Sequence, residues 1–367
     1  MNASTDPRSR HRHRHTRVMS VAFGVVALVV LTGCSATAGG ASASGKPGAA
    51  SISPGIVTDI GGLGDRGFND LAKLGLQNAD KKLGITGKVV VPQTPADYSS
   101  NLAHFAESGA NPVFGIGFSF ADAITAAAKK YPDTKFGIVD SVVDAPNVAS
   151  LVFREEEGSY LAGVVAGLMT QQATDFTDPS SKVVGFIGAL DVPLIEKFGA
   201  GYEQGVASVC SDCKVLVKYV GTTGAAFSDP ATAKEIALNM NAQGADVIYH
   251  AAGASGDGLF SAAQEKKFFA IGVNVDQAMT VPNAPILTSV LKRVDVAVES
   301  VITATSKGQF KSGVQSFGLA NQGIELAGFG QFDSVVPATV KTAVAHAKAG
   351  IIDGSIKVVT SMADLKK

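Results

Sequence analysis

The chain has 367 residues, 46% of them hydrophobic and 17% charged, which is enough length for two ordinary domains and too little charge for a disordered chain. Its formal net charge of −1 hides an asymmetry, because residues 1–33 carry five arginines against one acid. The remainder holds 26 basic and 31 acidic side chains, a net charge of −5. A mildly acidic body excludes nucleic acid as partner, since a phosphate backbone demands a basic face.

The N-terminus has the layout of a secretory signal. Arg8, Arg10, Arg12, Arg14 and Arg17, interleaved with His11, His13 and His15, precede an apolar run over 18–31. That run is too short to cross a bilayer comfortably. It ends in Leu31-Thr32-Gly33-Cys34, which resembles the lipobox of bacterial lipoproteins, where a small residue lets the peptidase cleave and the cysteine thiol carries diacylglycerol. After Cys34 the chain is mostly Ala, Gly and Ser to residue 53, a composition with little to bury and the expected behaviour of a flexible tether. The expected order is a signal over 1–33, a tether over 34–53, and a folded body held at the outer face of a membrane.

From residue 55 onward, short β-branched runs alternate with helical patterns. Strands are expected over 55–60, 88–91, 112–116, 135–140 and 148–153, with helices over 68–82, 98–107 and 120–130 between them. Such alternation predicts βαβ units and a mostly parallel sheet. A helix over 156–170 is rich in small residues that would let it pack closely on a neighbour, and 174–181 has the character of a loop. The pattern then restarts, with strands over 182–188, 214–221, 246–251, 268–275 and 286–291. Helices over 194–209, 232–242, 258–266 and 294–307 alternate with them. A segment of strand character over 317–329 and a helix over 334–349 close the chain. Two α/β halves in tandem predict two lobes, 54–172 with 293–313 and 182–292 with 314–367. The carboxyl ends of their strands would face a shared cleft.

The stretch 55–70 contains a literal G-x-G-x-x-G at Gly62, Gly64 and Gly67, the spacing of a dinucleotide-binding turn. That motif needs an acid about twenty residues on, at the tip of the next strand, to hold a ribose. Here that strand ends Val91-Pro92-Gln93, so no dinucleotide cofactor is expected. Cys210 and Cys213 have redox spacing but fall at a helix end, where a local disulfide clamping a turn is expected in an oxidising compartment. A zinc half-site would need two more ligands, and none is grouped nearby. His104, His250 and His346 lie in no catalytic motif, although His250 ends a buried-looking strand and could face the cleft.

Charged residues at strand tips are the better candidates. Asp140, Asp276 and Lys292 each follow an apolar strand, which places them at the ligand edge of a parallel sheet. Carboxylates accept from hydroxyls or ring N–H groups, and an ammonium donates to hydroxyls. Phe68 and Phe198 lie early in the first helix of each half. Facing each other across a cleft, they would sandwich a flat ring.

Together these residues resemble a known family. The lipobox, Val57-Thr58-Asp59-Ile60-Gly61-Gly62 with Asp65-Arg66-Gly67-Phe68-Asn69, and Leu161-Ala162-Gly163 are similar to the basic membrane protein family of lipoproteins, which includes purine nucleoside receptors of ABC importers. So are Phe198-x-x-Gly201-Tyr202-x-x-Gly205, Ala251-Ala252-Gly253-Ala254-Ser255-Gly256 and Ile271-Gly272-Val273-Asn274-Val275-Asp276-Gln277. The resemblance implies an α/β, type I periplasmic-binding-protein fold: two doubly wound parallel-sheet lobes joined by three hinge crossovers. It implies nucleoside capture without catalysis, with Phe68 and Phe198 on the two faces of a purine and Asn69 and Asp140 on its polar edge. Asp276 and Lys292 would hold ribose hydroxyls, with the Gly253 backbone near the sugar. The chain departs from the family pattern at Gly67, where a serine is usual, and at Ala254 and Asn274, where a second glycine or an aspartate is frequent.

The resulting expectation is a monomeric, lipid-anchored solute-binding protein that needs no cofactor or metal. It would close around a purine nucleoside and deliver it to an ABC permease. The alternatives are a sugar-binding or sensory protein of the same fold, and an exported nucleoside-processing enzyme. Against the enzyme stands the lack of a Ca²⁺-binding aspartate cluster or a histidine-centred site.

Overall fold

The computed structural model describes residues 52–366. The expected signal segment, Cys34 and nearly all of the tether lie outside the described residues. Strand and helix alternate through β1 (Gly55–Val57), α1 (Phe68–Leu83), β2 (Lys88–Val90), α2 (Asp97–Glu107), β3 (Val113–Ile116), α3 (Ala121–Lys130), β4 (Phe136–Val139) and β5 (Val148–Phe153). Next come α4 (Glu155–Met169), β6 (Val183–Gly188), α5 (Pro193–Val209), β7 (Lys214–Tyr219), α6 (Pro230–Ala242) and β8 (Ala245–Ala251). The series continues with α7 (Gly256–Lys266), β9 (Phe269–Asn274), α8 (Gln277–Thr280) and β10 (Ile286–Lys292). Finally come α9 (Val294–Ser306), β11 (Gly313–Phe317), β12 (Ile324–Leu326) and α10 (Ala338–Asp353).

Two six-stranded sheets result, ordered β11-β5-β4-β3-β1-β2 and β12-β10-β9-β8-β6-β7. Every pairing is parallel except that of β12 with β10. Inner strands such as β4 and β8 are buried along their whole length, because helices cover both faces. That is why they appear in the sequence as unbroken apolar runs.

The chain passes between lobes three times: at Arg154, at Arg293 and between Phe317 and Ile324. Each crossing hands a helix or strand to the other lobe. Helix α4 follows β5 of the first sheet yet packs on the second, where Gly158 lies against Ile324 and Val290 and Ser159 Oγ meets Tyr249 Oη at 3.2 Å. Helix α9 follows β10 of the second sheet yet packs on α1, with Gly75 against the Asp295 carbonyl and Lys82 paired to Glu299 at 2.8 Å. The expected lobe limits shift accordingly. The first lobe ends at 153 and not 172, because the small residues of α4 pack on the other side. The last crossing follows 317 and not 313, because β11 completes the first sheet. The segment of strand character over 317–329 comprises the end of β11, a turn and β12. The crossings are tied to one another, with Arg154 N donating to Phe317 O at 2.8 Å and Arg293 N to Gly323 O at 2.9 Å.

Within the second lobe, α4 and α5 meet backbone to backbone. A Cβ on Gly163 would stand 2.1 Å from Tyr202 O, and one on Gly205 would stand 2.1 Å from Tyr160 O. Only hydrogen fits at either position. Cys210 and Cys213 are bonded to each other and close the turn from α5 to β7.

His250 lies inside the core and away from the cleft. It is fully buried, with Nε2 2.9 Å from Gln277 Oε1 and its ring edge-on to Phe260. Burial pushes its pKa down to about 4, opposed by the Gln277 contact.

Two stability predictions follow from this packing. Gly205→Ala should lower unfolding stability by about 3 kcal/mol, the upper range for overpacking, read from a urea midpoint. An unchanged midpoint would mean that the helices separate at no cost. Between pH 6.5 and about 4 the unfolded chain protonates His250 while the folded chain does not, so its stabilisation is intact above that window and is lost as pH falls through it. His250→Gln should therefore flatten the acid limb by up to about 3 kcal/mol relative to the parent chain. The difference between the two proteins carries the test, because buried Asp246, pushed up to about 6, works in the opposite direction.

Candidate functional site: the cleft between the lobes

The turn after β1 is held in shape by its own aspartates. The Asp65 carboxylate accepts from the backbone N–H groups of Gly67, Asn69 and Asp70 at 2.9, 2.7 and 3.1 Å, taking up the free donors at the start of α1. Asp70 accepts from Gly64 N and Arg66 N, both at 3.0 Å. Gly62 and Gly64 adopt positive φ of 64° and 88°, which the tight path requires. A helix N-terminus already capped by a carboxylate has no vacancy for a phosphate and repels one. The glycines shape the turn, and Phe68 leaves it facing the cleft.

A cavity of about 620 Å³ lies between the lobes, within the range of small-molecule sites. Its centre is organised around Lys292 at the tip of β10. The ammonium Nζ lies 2.7 Å from each oxygen of Asp140 at the tip of β4, donating to Oδ2, and 2.9 Å from Glu155 Oε1 at the start of α4. Asp140 Oδ1 is buried and receives no well-directed hydrogen bond. The same ammonium stands 5.4 Å from the Phe68 ring centre, 5.8 Å from Phe198 and 4.9 Å from Phe153, within cation–π reach of all three. One cation is thus shared by an aromatic of each lobe. Burial pushes the Asp140 carboxyl up to about 6, although Lys292 pulls the other way. Burial disfavours the Lys292 charge, yet Asp140 and Glu155 outweigh it and hold the ammonium above its ordinary value. Asp140 has a φ of 67°, a left-handed conformation that aspartate tolerates and that functional sites collect.

Opposite walls come from different lobes. Phe198, on α5, is 4% exposed and lies on the second lobe's wall with Gly253, Val273 and Asn274. Asp59, Asn69 and Tyr98 belong to the first. The lobes are closed on one another. Arg66 pairs with Asp257 at 2.5 Å across the cleft, and a Cβ on Gly67 would stand 3.7 Å from Asn274 Nδ2. Of the lining residues described, Asp59, Asp65, Asp122 and Asp140 are acidic and Lys292 is the one cation.

Six of the seven expected ligand residues line this cavity: Phe68, Asn69, Asp140, Phe198, Gly253 and Lys292. Asp276 does not, and its expected place there is corrected. Strand β9 ends at Asn274, so Asp276 falls past the tip, where its carboxylate accepts from Ala278 N at 3.3 Å and caps α8. Val273 and Asn274, the latter in a left-handed conformation with φ 69°, are the residues of that strand which line the cavity. Asn69 lines the cavity with its amide already engaged. Nδ2 donates to Asp59 Oδ1 at 2.8 Å and to Asp65 Oδ2 at 3.2 Å, while Oδ1 accepts from Asp59 N at 3.3 Å. Its structural work is therefore to fasten the turn. Asp140 and Lys292, expected at opposite parts of a ligand, touch each other and must address the same part.

Asp59 and Glu155 were not among the candidates. Asp59 stands just past β1, as Asp140 stands past β4, so the strand-tip rule applied evenly would have selected it. Burial raises its carboxyl, partly offset by Asn69 and the Gly61 N–H. Glu155 has no comparable local signal; what distinguishes it is burial at a crossing between lobes. Among the described residues, no group of three or more His, Cys, Asp or Glu side chains is placed to hold a metal ion, and no helix is long and apolar enough to cross a membrane.

Comparison with known proteins agrees with this architecture. Residues 52–359 match the family model of PnrA-like ABC transporter substrate-binding proteins. The chain is 37% identical to the ABC transporter nucleoside-binding protein BmpA of Lactococcus lactis, over 93% of this chain and 98% of that protein. It is 28% identical to basic membrane protein A of Borreliella afzelii, over 86% and 94% of the two chains. Among solved structures, an ABC transporter solute-binding protein of Aeropyrum pernix superposes with a TM-score of 0.76 at 29% identity, covering 85% of this chain and 94% of that one. The two-lobed cleft and the match across nearly the whole described body lead to one conclusion: the chain belongs to the PnrA-like family of ABC transporter substrate-binding proteins.

Proposed function

We propose that this protein binds a purine nucleoside in the cleft and delivers it to an ABC permease, held at the outer membrane face by a lipid on Cys34. The observation that carries the ligand class is the shared cation: Lys292 within 6 Å of the Phe68 and Phe198 ring centres, one from each lobe. A flat, hydrogen-bonding ring held between those faces presents its edge to the Asp140–Lys292 pair. That pair sets a carboxylate beside an ammonium in the cavity lining, and so suits a ligand edge on which a donor adjoins an acceptor. The relative with the name of nucleoside-binding protein supports the same reading. Four acids against one cation in the lining disfavour nucleotides, whose phosphates would be repelled.

Thermal unfolding of the purified chain with nucleosides, free bases, nucleotides and pentoses should show stabilisation chiefly by purine nucleosides. Stabilisation by ribose alone would move the assignment to a sugar. In calorimetric titration, Phe68→Ala and Phe198→Ala should each cost about 1–3 kcal/mol of binding, the worth of one base–aromatic stack. Asn274→Ala should weaken binding more than Asp276→Ala, which should remove about 1 kcal/mol of helix cap and leave affinity nearly unchanged. The reverse order would restore Asp276 to the site.

A further inference from the structure

Behind the cavity wall lies a chain of alternating charges that the binding reading leaves unused. Glu155 is fully buried and does not line the cavity. Its Oε1 accepts from Lys292 at 2.9 Å and its Oε2 from Lys197 at 3.2 Å. Lys197, on α5, is part-exposed and also donates to Phe153 O at 3.2 Å. The order is Asp140, Lys292, Glu155, Lys197, minus and plus in turn. The other charged groups facing it are Glu156, one residue along α4, and Arg154 at the crossing, which pair with each other at 3.5 Å. Tyr249 of β8 also feels this carboxylate, its hydroxyl pushed up by burial first and by Glu155 in smaller part.

The lobe membership of these groups matters more than their number. Asp140 belongs to the first lobe, whereas Glu155, Lys292 and Lys197 all sit with the second. When the lobes separate, Asp140 moves away from Lys292 and Glu155 does not. A buried ammonium without a partner loses its proton or draws in water. We propose that Glu155 is a positioning residue for the ligand site: it keeps Lys292 charged and aimed into the cleft while the lobes are apart. Closure then brings Asp140 onto an ammonium already in place. Capture of the ligand and formation of the Asp140–Lys292 contact become one event. This rests on the binding reading above, but Glu155 reaches the ligand only through Lys292.

The test is Glu155→Gln, a near-isosteric change, titrated calorimetrically with inosine from about pH 6 to about pH 9. The variant should bind about tenfold or more weakly at neutral pH and lose further affinity as pH rises, because Lys292 now deprotonates within the range. The parent chain should stay level over the upper half of that range. Glu155→Asp, which restores a carboxylate, should recover the level profile. A ligand-free measurement separates this from failure of the nucleoside assignment: acetylation of the Lys292 amine against pH, read by peptide mass spectrometry. Lys292 should become reactive about one pH unit or more lower in Glu155→Gln than in the parent. Should Glu155→Gln fail to fold, Lys197→Met removes the competing cation at a part-exposed site and leaves Glu155 to Lys292 alone, so it should shift the same acetylation profile to higher pH. Parallel profiles in parent and variants would overturn the proposal.

Discussion

A buried ammonium needs counter-charge, and much of this protein is arranged around the one at Lys292. The side chain sits at the tip of β10, a residue before the chain crosses to the other lobe. Its partners arrive from β4 of the first lobe and from α4, the helix that enters the second lobe at the neighbouring crossing. Three aromatic faces enclose the remaining directions. Charge, ring stack and hinge meet within one small volume, so a change at any of them is felt by the others.

The crossings explain how two sheets of nearly identical order work as one binding device. Each lobe donates an element to its partner, and the junctions are hydrogen-bonded to one another, an arrangement of the kind found in hinged two-lobe proteins. Around the junctions the chain uses long, ionised side chains: Arg154 with Glu157 at 2.8 Å, and Arg293 with Asp295 at 2.8 Å. Glu157 also accepts from Leu319 N at 2.7 Å, joining the first crossing to the last. The carboxylates of those pairs are buried, whereas across the cleft both partners of the Arg66–Asp257 pair are exposed, the kind of contact that contributes little to stability.

Much of this was legible in the residues. Strand and helix alternation is a local pattern, so β1 to β10 emerge near their expected places, and the small residues of 156–170 announce a close helix contact that Gly163 and Gly205 make. The aromatic pair and two of the three charged strand tips also line the cavity as the pattern suggests. The differences have physical causes. A strand's end is the least certain thing in a periodic pattern, and at Asp276 a slip of one or two residues exchanges a cavity wall for a helix cap. The sequence also cannot show that Asn69, which does line the cavity, has its amide engaged by Asp59 and Asp65, since those contacts exist only once the turn has folded.

By itself the sequence determined the two α/β halves, the glycine turn that delivers Phe68 to the cleft, and the burial of the inner strands. All of these follow from periodicity and from the conformational needs of single residues. Only tertiary structure decided which lobe α4, α9 and β11 join, since a helix packs equally well by its own pattern on either sheet. Tertiary structure also decided that Asp140, Lys292, Glu155 and Lys197 form one line of charge. They lie up to 152 residues apart in the chain, and nothing local marks a carboxylate as the partner of an ammonium that another lobe supplies.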